Sequence, residues 1–234
     1  MTAREIVLDT ETTGIDPRAG HRLIEIGCVE LMGRLPTGRE FHAFINPERD
    51  VPADAVAVHG ITGAFLADKP KFAAVVDEFL AFIADAPLVI HNATFDVGFI
   101  NSELERVKRK PLQMTRVVDT LALARRRNPG GPNSLDALCK RFGIDNSKRT
   151  KHGALVDSLL LAEVYMELLG ERQTTLALVG GPARGTSGRG QQKSGGAKAR
   201  TRPLAPRLTA EAEAEHAKFV ETLGPNALWK KRDS

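Results

Sequence analysis

The sequence predicts an α/β fold, a mixed central sheet flanked by helices. Two observations predict it. Three apolar, strand-like runs near the start are separated by short turns and read as an antiparallel meander. The later strand-like runs are short, and each leads into a segment with helical apolar spacing, the pattern of strands joined through helices.

Glu5-Ile6-Val7-Leu8 is an apolar, β-branched run that predicts a strand buried on both faces. Asp9 and Glu11 follow at its far end. Side chains two apart along a strand share a face, so the two carboxylates point the same way. Paired acids there repel one another and lose hydration unless cations compensate, and hard divalent ions suit such oxygen donors. A strand end with two solvated acids before a Thr-Thr-Gly turn is the alternative.

Leu23–Leu31 alternates well enough for a second strand and Glu40–Ile45 for a third, with Pro36-Thr37-Gly38 as the expected turn. Pro52–Val58 has room for a short helix. Phe72, Val75, Val76, Phe79, Leu80 and Ile83 form a helical stripe. Leu88-Val89-Ile90 is a short buried strand, and the helix after it carries Phe95, Phe99, Ile100, Leu104 and Val107. Val117-Val118-Asp119 reads as the last strand. One helix is expected from about Thr120, another from Asn133-Ser134, where Ser134 is a good N-cap. The final helix of the domain is expected from about Gly153 to Leu169.

At 234 residues the chain is long enough for one domain plus extras. No apolar run approaches the roughly 18 residues a membrane span needs, so no membrane association is expected. Met1–Glu5 leads straight into a strand, so no signal peptide is expected. Cys28 and Cys139 lie in apolar contexts and read as buried free thiols of a cytoplasmic protein. Between Arg172 and Ala210 stand eight basic residues and no acid; setting them aside from the 33 leaves 25 basic against 29 acidic residues. The folded part is therefore mildly acidic, and the basic character belongs to one segment. From Gly180 to Pro206 the chain is Gly, Ser, Gln, Arg and Lys with few large apolar residues, the composition of a disordered linker. After it Thr209 is placed to cap a short helix over Ala210–Leu223.

Further acids arrive at positions that suit the first pair. Asp96 stands at the start of the helix after Leu88–Ile90, and Asp157 in the first turns of the last helix. Either alone reads as an N-terminal helix acid favoured by the helix dipole. His152 precedes Asp157 by five residues and so would not share a helical face with it. Gly153 suggests that His152 lies in the loop before the helix, from which it can reach the same site; a histidine beside the basic run Lys148-Arg149-Thr150-Lys151 reads alternatively as simply solvated.

Taken as an ordered set, Asp9-x-Glu11-Thr12-Thr13-Gly14, then Asn92-x-x-Phe95-Asp96, then His152-x-x-x-x-Asp157 resembles the DEDDh 3′→5′ exonucleases. Ile24–Gly27, Val58–Ile61, Val89–Asn92, Asn133–Cys139 and Ile144–Thr150 support the resemblance, which runs from residue 4 to about 178. It is closest to the branch that proofreads for bacterial DNA polymerase III.

The resemblance implies a ribonuclease H-like exonuclease fold and two divalent metal ions, Mg²⁺ or Mn²⁺, held by Asp9, Glu11, Asp96 and Asp157. His152 would be the general base. Asp9, Glu11, Thr12, Thr13, Asp54, His59 and Asp157 would contact the 3′-terminal nucleotide; Asp54 stands where close relatives carry the longer Glu. The implied reaction removes nucleoside 5′-monophosphates from the 3′ end of a primer strand, within a holoenzyme that has DNA polymerase activity. Gln173, Leu176 and Leu178 resemble a sliding-clamp-binding motif. The tail resembles the segment that docks on the polymerase III alpha subunit, with Phe219, Leu223 and Trp229 as anchors. A small theta-like subunit is a further implied partner, and the implied location is the cytoplasm, at replication forks on the nucleoid. The expected organisation is an exonuclease domain at 1–172, a clamp motif at 173–178, a flexible basic linker at 179–207 and a polymerase-binding tail at 208–234. The rival readings are an enzyme of the same family trimming RNA or oligonucleotide ends, and a non-catalytic scaffold.

Overall fold

A computed structural model of the protein describes residues 3–147, 149, 151–170 and 209–222. Its central element is β1 (Arg4–Thr12), which lies in the middle of a five-stranded sheet of order β3-β2-β1-β4-β5. β2 (Leu23–Met32) pairs antiparallel with β1, and β3 (Leu35–Phe44) antiparallel with β2. β4 (Leu88–Ile90) runs parallel to β1 and β5 (Val117–Asp119) parallel to β4. The sheet is mixed, as the meander-then-crossover pattern predicts.

Alternation along β1 separates two layers. Ile6 and Leu8 face a core formed with Phe72, Phe79 and Ile83 of α3 (Phe72–Ile83) and Phe99 and Leu104 of α4 (Ala93–Arg106). Val7 faces the other layer, where Leu161 and Tyr165 of α7 (Ala154–Leu169) cover it. α5 (Thr120–Arg127) and α6 (Leu135–Phe142) pack behind α7 through Ala124, Leu138, Cys139, Leu160 and Val164. Cys28 and Cys139 are buried free thiols.

One expected turn moves. The β2–β3 hairpin closes at Gly33-Arg34, with Met32 paired to Leu35. Both turn residues have positive φ, 57° and 70°, as a two-residue turn of the primed kind requires. Pro36-Thr37-Gly38 lies within β3 instead. β3 is the sheet edge, where a proline costs no ladder hydrogen bond. The helix expected from Pro52 is α1 (Ala53–His59), and the unforeseen α2 (Gly63–Leu66) follows, capped by Thr62.

α8 (Ala210–Thr222) belongs to a second compact unit and is described by itself. Thr209 Oγ1 accepts from Ala212 N at 3.3 Å, the expected cap. Phe219 on this helix is 60 % exposed. The segments at 173–178 and 179–207, and Gln173, Leu176, Leu178, Leu223 and Trp229, lie outside the described residues. No described helix is long and apolar enough to cross a membrane.

Candidate active site

The C-terminal half of β1, the start of α4, the start of α7 and the loop before α7 meet around a cavity of about 600 Å³. Asp9, Glu11, Asp96, Asp157, Arg149 and His152 all line it. The junction after β4 forms another part of the wall. There Asn92 adopts the left-handed conformation (φ 64°), and Asp119 Oδ1 accepts from its N–H at 3.3 Å. The same carboxylate caps α5 through Leu121 N at 2.9 Å.

α7 reaches the site because β2 lets its first turn come very close. At Gly27, which pairs with Asp9 across the sheet, a Cβ would lie 2.3 Å from the backbone of Ala154 and Leu155. Ser158 donates from Oγ to the Gly27 carbonyl at 2.9 Å. Glu25, buried beside Gly27, accepts the Ala154 N–H at 3.1 Å and so supplies an acidic cap for a helix whose own N-cap residue is Gly153. The other Glu25 oxygen meets His42 Nε2 at 2.7 Å. Asp96 is held from the opposite layer by Thr10, whose hydroxyl donates to Oδ1 at 2.6 Å.

Glu11, Asp96 and Asp157 are buried, and Asp9 is partly exposed at the cavity wall. Burial, then the charges of Asp96, Glu11 and Asp157, pushes the Asp9 carboxyl well above its usual range. Glu11, 9 % exposed, is held up to about 8, chiefly by burial and then by Asp157 and Glu25. Asp96 is held up to about 7 by burial, against the opposing Thr10 hydrogen bond. The cationic side chain set against them is Arg149. Its Nε and Nη2 engage both oxygens of Asp157, the second at 2.7 Å. Burial disfavours the guanidinium charge, but Asp157 and then Asp136 outweigh it and hold Arg149 firmly protonated. Three carboxyls pushed up by burial and mutual repulsion are a donor set that a divalent cation would relieve. Oxygen donors of Glu11 and Asp157 and a ring nitrogen of His152 lie within 4.8 Å of one another. The residues thus fit hard divalent ions of the magnesium or manganese kind.

His152 lies in the loop before α7, as Gly153 suggests, with its side chain 47 % exposed and Nδ1 3.5 Å from Asp157 Oδ2. Thr12, Thr13 and His59 are buried but are not among the residues lining the cavity. Thr12 Oγ1 donates to the Gly14 carbonyl at 2.6 Å, and Thr13 Oγ1 accepts from Arg22 N at 2.9 Å. His59 Nδ1 accepts from Ile61 N at 3.0 Å, and Nε2 is buried with no hydrogen bond among the described residues. Asp54 stands exposed in the first turn of α1, away from the cavity lining. Two residues were not singled out as site residues, although both fall in segments that support the resemblance, Ile24–Gly27 and Ile144–Thr150. Glu25 looked like one position of an alternating strand. Arg149 looked like part of a solvated Lys/Arg run, and its spacing of three before His152 was the available signal.

An exonuclease family model (RNase_T) matches residues 6–165. A protein of Rickettsia felis called DNA polymerase III subunit epsilon is 56 % identical over 179 residues, covering 75 % of this chain and 78 % of that one. Its Escherichia coli namesake is 52 % identical over 181 residues, covering 74 % of each. Among solved structures, exonuclease X in complex with 5′-overhanging duplex DNA aligns with TM-score 0.55 at 25 % identity, over 71 % of this chain and 91 % of that one. The nuclease domain of 3′hExo, a DEDDh family member bound to rAMP, aligns with TM-score 0.62 at 18 % identity, over 72 % and 92 %.

Proposed function

The chain belongs to the exonuclease family, and we propose that within it the protein is the 3′→5′ proofreading subunit of a DNA polymerase III. It removes nucleoside 5′-monophosphates from the 3′ end of a primer strand. The observation that carries this is the meeting of Asp9, Glu11, Asp96 and Asp157 with His152 at one cavity. Four acids drawn from three separate elements, three of them buried, and gathered at one cavity are a costly arrangement for a scaffold, and a useful one for an enzyme that binds metal.

In this reading the four acids hold two divalent ions, which when bound supply activation of a water and stabilisation of the leaving 3′ oxygen. The chain's own groups do the rest. His152, half exposed on a loop, takes the proton from the water, which imidazole is suited to do near neutral pH. Thr10 holds Asp96, and the cap from Glu25 holds the start of α7 and with it Asp157. His59 Nε2, buried and without a close hydrogen-bond partner among the described residues, is available for a polar group of the terminal nucleotide. Thr12 and Thr13 set the turn beside it.

The partners belong to the same reading. Phe219, a large exposed apolar side chain on α8, supports a docking role for 208–234 on the polymerase alpha subunit. Gln173, Leu176 and Leu178 would engage the sliding clamp, and 179–207 would tether the exonuclease beside the polymerase at high effective concentration. A theta-like subunit would complete the complex.

Release of mononucleotides from a 3′-mismatched primer–template in Mg²⁺ or Mn²⁺, and its loss in EDTA, tests the activity. Trimming of RNA ends with no release from DNA would favour the RNA-acting reading. Co-purification of the alpha subunit with the full chain, lost on truncation at 208, tests the tail.

A further inference from the structure

Arg149 has no part in the reaction as described, yet it touches the groups that do. Its side chain is 6 % exposed. Nε and Nη2 occupy both oxygens of Asp157. Nη2 also meets His152 Nδ1 at 2.8 Å, and Nη1 donates to Asp136 Oδ1 at 2.6 Å. A guanidinium has only donors, so His152 Nδ1 must present its lone pair to Arg149. One cationic side chain therefore engages a candidate metal ligand and the nitrogen lone pair of the candidate base at once. A divalent ion placed on Asp157 would meet a like charge at the same oxygens.

We propose that Arg149 is a resident counter-cation, which a divalent ion must displace from Asp157 before the site can work. The inference rests on the reading of the four acids as the metal site. Without metal, Arg149 offsets the repulsion among those acids and keeps the start of α7 in place. Entry of the ion releases Asp157 as a ligand and His152 Nδ1 as a proton acceptor in the same event. Asp136 is 56 % exposed at the first turn of α6, outside the acid cluster, and gives the released guanidinium a partner to stay with. Residues 151–153 and 144–147 flank Arg149 without helix or strand, so the backbone there is not held by a ladder or a helix. Proton transfer by His152 is thereby tied to metal occupancy.

The test is calorimetric titration of Mn²⁺ at pH 8 into the full-length protein, Arg149→Lys and Arg149→Gln, with thermal unfolding in EDTA and in Mn²⁺. A Gln keeps much of the length but not the charge; a Lys keeps the charge but not the fork that grips both oxygens. Arg149→Gln should bind Mn²⁺ about tenfold more tightly or better, since a charge-assisted hydrogen bond given up to the ion is worth roughly that factor. Arg149→Lys should fall between. Both should unfold at lower temperature in EDTA and recover more than wild type when Mn²⁺ is added. Mn²⁺ binding that is equal or weaker in both variants overturns the proposal, because Arg149 would then be a support of the metal site. If Arg149→Gln does not fold, Arg149→Lys decides alone. Wild-type protein that binds no Mn²⁺ overturns the reading of the acids, a result distinct from unchanged affinity in the variants.

Discussion

Gly27→Ala is the substitution that tests how the site is held together. The added Cβ would lie 2.3 Å from Ala154 C and Leu155 N and 2.5 Å from the Ala154 carbonyl oxygen. Carbon contacts are comfortable at about 3.5–4.0 Å, so the first turn of α7 must retreat from β2 by roughly 1 Å or more. No flexible side-chain tip is available to give way, because each of these atoms is backbone. The retreat strains the Ser158 and Ala154 hydrogen bonds to Gly27 and Glu25. Overpacking of this kind costs about 1–3 kcal/mol, and two weakened hydrogen bonds add about 1 kcal/mol each. A loss of roughly 3–5 kcal/mol lowers the melting temperature by roughly 6–20 °C for a domain of this size. Activity should suffer more than stability. Asp157 rides on the displaced turn while Asp9, opposite Gly27, does not, and a misplacement of about 1 Å can cost on the order of 100-fold in rate. The assay is mononucleotide release from a 3′-mismatched primer, well below the measured melting temperature, with circular dichroism to confirm folding. Gly98→Ala is the control, since a Cβ there meets nothing within 4 Å. A folded Gly27→Ala protein with wild-type rate would refute the claim that this close approach positions Asp157.

Three further outcomes are expected. His152→Ala should lose about 10²–10⁴ in rate, the usual contribution of general base catalysis, with little change in melting temperature because the ring is half exposed; equal activity would remove His152 from the mechanism. Glu11 and Asp96 keep protons in the folded, metal-free protein up to about pH 8 and 7, which the unfolded chain loses near pH 4. Stability in EDTA should therefore fall as pH rises from about 4 through 8, by up to roughly 1.4 kcal/mol per pH unit for each group. Mn²⁺ favours the ionised acids and should flatten that slope, so identical melting profiles with and without it would contradict the burial argument. Thr10→Val leaves the buried Asp96 Oδ1 without its hydroxyl donor and should cost about 1–3 kcal/mol, read by denaturant unfolding; an unchanged midpoint would mean that Asp96 finds another partner.

Most of the architecture could be read from the chain because its signals were local. The β-branched runs, the stripe over Phe72–Ile83 and the Ser134 cap each lie within a dozen residues, and each became the expected element. The acids were legible for a different reason: their order and spacing matched a family motif, and the fold then brought them to one cavity. The hairpin turn was misplaced because Pro-Thr-Gly is a stronger local turn signal than Gly-Arg. The edge position of β3, which makes a proline harmless, is a property of the whole sheet. Glu25 and Arg149 were invisible as site residues for the same reason. Glu25 meets the Ala154 N–H across 129 positions of sequence, and no local window contains that bond. Asp54, like Thr12, Thr13 and His59, lies outside the cavity lining, so the lining by itself does not single out the substrate contacts that the motif implies.

The packing of α7 onto β1 and β2 also has a consequence in time. Ribosomes deliver the chain from its N-terminus, so the acids of β1 and α4 exist long before Asp157 does. Until α7 emerges, Val7 lacks the cover of Leu161 and Tyr165, and Glu25 has no helix to cap. The proposed centre is therefore completed by α7, and a nascent or prematurely terminated chain without that helix carries only part of it. On the proposed reading, a nuclease whose acid cluster is completed only by α7 would stay inactive until that helix has emerged.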